Sequence, residues 1–305
     1  MTDAVLPSWR EGATRRALLD FFDRVEEIPP AERVAVFDND GTLWCEKPQY
    51  PQLEFMLSEM KTAVADDSAL AEQPEFRALL SNDRATLAEM GLERVVLALV
   101  DLHTGLTPEE FNERVAAFFA AARHPDRKVP YRQQRYQPML ELLKELRTHG
   151  FDCYIVTGGG SEFVRVVGED FYGVKPEGVV GSQIAYDAER LENGALRLVR
   201  TGNIVASGVN EGAGKPPNIQ RILGRRPVVA AGNSTGDAEM LEFAQSYDGP
   251  SLALIVDHDD ADREYAYESK AASFESGESV LDMADRLGWI VASMKDDWAT
   301  VFSHD

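Results

Sequence analysis

Two hydrophobic rhythms alternate along the chain. From Glu11 to Val25 apolar residues recur at helical spacing, and Pro29 and Pro30 close that segment ahead of Val34-Ala35-Val36-Phe37. This short continuous run of β-prone residues is the pattern of a central strand buried on both faces. From Pro48 to about Leu146 the rhythm turns helical: Leu53 to Ala65, Glu75 to Met90, Leu92 to Leu102 and Pro108 to Ala122 each read as amphipathic helices. Asp83 and Thr107 supply starts, and Gly91 and Gly105 supply stops.

Beyond this helical stretch the alternation resumes, with a helix from Tyr136 to Arg147, a strand from Cys153 to Val156, a helix from Ser161 to Phe171 and a strand from Val179 to Ile184. A hairpin is expected from Arg190 to Val199, turned at Asn193-Gly194. A helix from near Pro217 to Leu223 follows, then strands from Val228 to Ala231 and from Leu252 to Val256 with a helix through Met240 between them. The tail from Ser279 to Phe302 reads as helical and peripheral. Strands alternating with helices predict an α/β fold, a doubly wound and mostly parallel sheet, interrupted by a helical insertion.

Composition narrows the class. With 305 residues and 44% hydrophobic content the chain can bury a full core, which excludes a disordered protein. No apolar run is long enough to span a bilayer, and the segment through Arg16 lacks the apolar core of a secretory signal, so a soluble, cytoplasmic protein is expected. Cys45 and Cys153 are too few for a disulfide scaffold and lack the paired spacing of a zinc site. The net charge of -21 argues against nucleic acid or an anionic membrane as an extended partner, while leaving room for a small anionic substrate at a locally positive site.

Ligands of open parallel sheets bind outside the carboxyl ends of the strands, and there the chain places its chemistry. Asp38-Asn39-Asp40-Gly41-Thr42 follows the first strand, Thr157-Gly158-Gly159-Gly160 the second, and Gly232-Asn233-Ser234-Thr235-Gly236-Asp237 the Val228 strand, with Lys215 ahead of a helix between them. Phosphoryl transfer needs a nucleophile, a proton donor for the leaving oxygen and positive charge for the phosphoryl oxygens. Asp38 can attack phosphorus, Asp40 can protonate the leaving alcohol and later deprotonate water, and Thr157, with the backbone N–H groups of Gly158 and Gly159 and the charge of Lys215, can bind phosphate. Magnesium prefers carboxylate and carbonyl oxygens, so Asp38, Asp40, Asn233 and Asp237 are its candidate ligands.

These four segments, in this order, resemble the motifs of the haloacid dehalogenase superfamily, and within it the phosphoserine-phosphatase-like branch. The resemblance implies a Rossmann-like core of residues 1–44 and 146–305, and a helical cap of residues 45–145 inserted after the first motif to select substrates (a C1-type insertion). It also implies Asp38 as nucleophile and metal ligand, Asp40 as acid/base offering its backbone carbonyl to Mg2+, and Thr157 and Lys215 as phosphate ligands. The fourth motif of the family usually reads Gly-Asp; here that position is Asn233, which brings an amide oxygen without charge.

The expected activity is a magnesium-dependent phosphomonoester hydrolase acting through an aspartyl phosphate on a small phosphorylated metabolite. Three alternatives share these motifs: a phosphotransferase; a phosphonate hydrolase, which would need a cap lysine such as Lys47 or Lys61; and a non-catalytic module binding a phosphorylated ligand, favoured only by Asn233. Trp44, Glu46, Tyr50 and Gln52 lie where the chain leaves the core. Hinge packing is their plainer reading, with Glu46 a candidate substrate contact and Trp44 and Tyr50 candidates to stack on it. The acidic run Asp257 to Asp262 is expected to be a solvated loop outside the site.

Overall fold

The computed structural model describes residues 5–205, 209–268 and 277–304. Helix α1 (Ala13–Asp23) leads into strand β1 (Val34–Phe37), after which the chain departs into α2 (Pro51–Asp66), α3 (Pro74–Leu80), α4 (Arg84–Met90), α5 (Leu92–Asp101) and α6 (Pro108–Ala121). It returns through α7 (Gln137–Thr148), β2 (Asp152–Gly160), α8 (Ser161–Tyr172) and β3 (Val179–Ser182), then makes β4 (Ile184–Arg190) and β5 (Leu196–Ile204). The remainder is α9 (Lys215–Leu223), β6 (Val229–Gly232), α10 (Ala238–Gln245), β7 (Leu252–Asp257), α11 (Val280–Leu287), β8 (Ile290–Ser293) and α12 (Met294–Asp297).

Six strands form one sheet in the order β3-β2-β1-β6-β7-β8, every neighbouring pair parallel. Burial on both faces follows the two-residue period of a strand: Ala35 and Phe37 join one apolar cluster, Val34 and Val36 the other. The order reverses between β1 and β6, which opens a crevice at their carboxyl ends.

The helical insertion is present, with its own small core of Met60, Phe76, Val95 and Leu99. Its inner face is not separate, because Phe55, Phe111 and Val115 belong to the same apolar cluster as β1 and α8. Phe163 of α8 meets Phe55 at 5.5 Å and Phe119 at 5.1 Å between ring centroids. Strand β5 adds a second tie. Arg200 donates its backbone N–H to Leu106 at 2.8 Å and accepts from Gly105 at 2.9 Å. Its guanidinium lies 3.9 Å from the Phe111 ring centroid and pairs with Glu162 of α8.

Three expectations need correction. The tail is only partly helical: after α11 it contributes β8 to the sheet edge, and Met294 and Trp298 are fully buried, Trp298 against Trp9 and Tyr136. The helix expected from Glu75 to Met90 breaks at Asn82, whose φ of 52° ends α3, and Asp83 caps α4 by accepting the Thr86 N–H. The hairpin does turn at Asn193-Gly194, but its arms begin at Ile184 and end at Ile204, because β5 is held by the insertion as well as by β4.

Replacing Phe163 by Ala removes the ring shared by insertion and core. The expected cost is about 3–5 kcal/mol, read as a lower urea midpoint; a loss below about 1 kcal/mol would mean the two parts do not share a core.

Candidate active site

The residues singled out in the sequence converge at the carboxyl ends of β1, β2 and β6. Lys215 lies at the centre, at the first position of α9. Its ammonium donates to Asp38 Oδ1 at 2.8 Å, to Asp237 Oδ1 at 2.5 Å and to the Val156 carbonyl at 3.1 Å. An ammonium has three protons, and here each has an acceptor. Burial alone would lower the Lys215 pKa, but Asp237 and Asp38 outweigh it and hold the group charged. Asp38 is raised well above the usual carboxylate range, first by burial and then by the neighbouring charge of Asp237, with Lys215 opposing.

Asp237 is fully committed. Its second oxygen accepts the backbone N–H groups of Asn233 and Ser234, each at 3.0 Å, and the Ser234 hydroxyl at 3.2 Å. It therefore anchors its own loop and Lys215, with little left for a metal. Asp38 differs: its Oδ2 accepts no hydrogen bond from the described residues. The Asp40 carbonyl is likewise free of donors, because the N–H groups of residues 42–44 all turn to the Asn39 carbonyl and that of Gly41 to Trp44. Asn233 Oδ1 accepts a long bond from Thr42, at 3.3 Å. The Asp38 carboxylate, the Asp40 carbonyl and the Asn233 amide oxygen form an all-oxygen set that suits magnesium.

Asp40 carries its own fixed partner. The Trp44 indole N–H donates to its Oδ1 at 2.8 Å. Burial raises the Asp40 pKa to about 7, with Trp44 opposing and Glu46 reinforcing the rise. Between these residues Gly41 adopts a φ of +75°, and a Cβ there would stand 2.0 Å from Asn233 Nδ2. Only glycine lets the two loops close on each other at this point.

Thr157 is buried, and its hydroxyl accepts the Gly159 N–H at 3.0 Å. The Gly160 N–H goes to Gln52 Oε1 of α2 at 2.8 Å. The second-motif loop is thus tied to the insertion, and part of its expected anion-binding N–H set is already in use. Glu46 is 6% exposed and lies 3.7 Å from the Lys47 ammonium, while Tyr50 stands 40% exposed. Trp44 is 1% exposed, so it packs inside the hinge and does not stack on a substrate.

The acidic run after β7 is not a solvated loop throughout: His258 and Asp260 are buried. His258 Nε2 donates to the Gly41 carbonyl at 2.8 Å, and Nδ1 faces Glu264 Oε2 at 3.3 Å. The same carboxylate accepts the Cys45 thiol and the Tyr136 hydroxyl, each at 2.9 Å, while the His258 ring stacks on Tyr267 at 4.4 Å. Sequence reasoning missed this buried support. Its one signal was a histidine two residues past a predicted buried strand.

With this geometry established, the comparisons identify the family. Residues 35–242 match the haloacid dehalogenase-like hydrolases, and the chain belongs to that family. Among solved structures it is similar to a protein of unknown function from Bordetella pertussis Tohama I, at 16% identity and a TM-score of 0.54 over 85% of this chain and 97% of that one. It is also similar to a conserved functionally unknown protein from Anaerococcus prevotii DSM 20548, at 16% identity and a TM-score of 0.46 over 80% and 85% of the two chains. A phosphoserine phosphohydrolase-like protein from Francisella tularensis subsp. tularensis SCHU S4 matches at 14% identity and a TM-score of 0.38 over 84% and 99%. The first likeness supports the fold. No curated protein matches the chain. Among the described residues no helix is long and apolar enough to cross a membrane.

Burial would raise the Glu264 pKa, but His258 and the Cys45 thiol hold it below its ordinary 4.5. A carboxyl depressed in the fold adds stability above its unfolded value, and that stability is lost as pH falls through the folded value. Glu264→Gln is therefore expected to be less stable than the native chain at pH 7, with the gap closing below pH 4.5. Urea midpoints across pH check this, and a constant gap would refute it.

Proposed function

We propose that this hydrolase is a magnesium-dependent phosphomonoesterase that forms an aspartyl phosphate at Asp38, with a small phosphorylated metabolite as substrate. The observation that carries the reading is the asymmetry of Asp38, one oxygen held by Lys215 and the other without a donor among the described residues. The free oxygen attacks phosphorus as the ester P–O bond breaks, and Asp40 passes a proton to the departing alcohol. Asp40 then takes a proton from water, which attacks phosphorus and releases Asp38 and inorganic phosphate. Thr157 and the N–H of Gly158 orient the phosphoryl oxygens; Lys215 acts as a fixed charge.

Magnesium held by Asp38, the Asp40 carbonyl and the Asn233 amide oxygen would supply positive charge beside the phosphate and favour ionised Asp38. Asp237 serves this site by holding Lys215 and the Asn233 loop. The catalytic core is residues 1–44 and 146–305, and residues 45–145 select the substrate, Glu46 facing the site from the hinge.

Phosphate release from aryl, sugar, nucleotide and amino-acid phosphates, with magnesium and with EDTA, tests this. Magnesium-dependent release should fall by at least about 10³-fold in Asp38→Asn, and failure to release phosphate from any ester would reject the reading. For Asn233→Asp, half-saturating magnesium should drop by about tenfold, a gain of about 1.4 kcal/mol; an unchanged titration would remove Asn233 from the ligand set.

A further inference from the structure

The Trp44 indole holds the Asp40 side chain from inside the core. Its N–H lies 2.8 Å from Asp40 Oδ1, and its ring is enclosed by Phe119, Phe163, Phe171 and Tyr172 at centroid distances of 5.9, 6.4, 6.1 and 6.3 Å. The backbone around it is closed as well. Gly41 donates to the Trp44 carbonyl at 2.9 Å, Trp44 donates to Asn39 at 3.3 Å, and Cys45 donates to Gln134 at 3.0 Å. Both the ring and its attachment are therefore fixed.

An indole N–H can donate and cannot accept. An oxygen facing it must accept, and in a protonated carboxyl the carbonyl oxygen is the better acceptor, so the donor favours Oδ1 as the carbonyl oxygen and the hydroxyl on Oδ2. The terminal torsion of an aspartate is broad and nearly two-fold, and without such a partner either oxygen could carry the proton. We propose that Trp44 is a positioning residue for proton transfer: it selects Oδ2 of Asp40 as the proton-bearing oxygen and aims it at the leaving group. This rests on the phosphomonoesterase reading above. In the step concerned, Asp38 forms its bond to phosphorus, the ester P–O bond breaks, and the Oδ2 proton of Asp40 goes to the departing oxygen, leaving Asp40 ionised for the water step.

The test uses leaving groups of unequal need. An alkyl phosphate must be protonated as it departs, whereas p-nitrophenyl phosphate leaves as a stable phenolate. Trp44→Phe keeps an aromatic ring and removes the donor. The ratio of kcat/KM for an alkyl phosphate to that for p-nitrophenyl phosphate should fall by about 10–100-fold, within the range of general acid catalysis. The same substitution in an Asp40→Asn background should leave that ratio unchanged. Equal losses on both esters, as a purely packing role would give, or no loss on either, would overturn the proposal. If Trp44→Phe does not fold, benzothienylalanine at position 44 keeps the ring volume without the N–H and is read by the same ratio. Failure of the parent reading is distinguishable, since the native chain would then hydrolyse neither ester.

Discussion

The ammonium of Lys215, set between Asp38 and Asp237, is the contact on which the site depends. It joins three segments far apart in the chain: the loop after β1, the end of β2 through the Val156 carbonyl, and the loop after β6. All three charged groups are buried, and a buried charge is costly unless its partners are complete. Removing one partner of such a group typically costs about 3–5 kcal/mol, so the arrangement is selective as well as stabilising. In the register that pairs Ala35 with Val229 through Phe37 with Ala231, the ammonium meets both carboxylates.

From that contact the rest of the site follows by close approach. Asp237 turns back onto the N–H groups of Asn233 and Ser234, which brings the Asn233 amide against Gly41. His258 then holds the Gly41 carbonyl from the next strand, and Glu264 holds His258. Each link leaves certain oxygens, on Asp38 and on the Asp40 backbone, without a donor among the described residues, and those are the oxygens the proposed chemistry uses.

Much of this was legible in the sequence. The strands of a parallel sheet are buried on both faces and read as continuous apolar runs, so β1, β6 and β7 stood out, and the polar residues at their ends followed. The supports were not legible, because their meaning is tertiary. An acidic run containing His258 has the composition of a solvated loop, and nothing local says that Glu264, Cys45 and Tyr136 will enclose it. Trp44 reads as hinge packing until its N–H is seen on Asp40. Strand β8 has four residues between two helices, too few for a period to emerge, and the break at Asn82 turns on one positive φ.

The aromatic wall behind Trp44 gives the helical insertion two unequal degrees of evolutionary freedom. Phe119 of α6 touches both the Trp44 ring and Phe163, so that face of the insertion is part of the scaffold that sets Asp40. The helices α3 and α5 pack into the separate cluster of Met60, Phe76, Val95 and Leu99. The inner face packs with the core and must change in concert with it, while the outer helices can drift on their own. Exchanging the whole insertion for another would therefore disturb the packing behind Asp40, which makes this hydrolase a poor recipient for a grafted insertion and a better one for redesign of its outer layer.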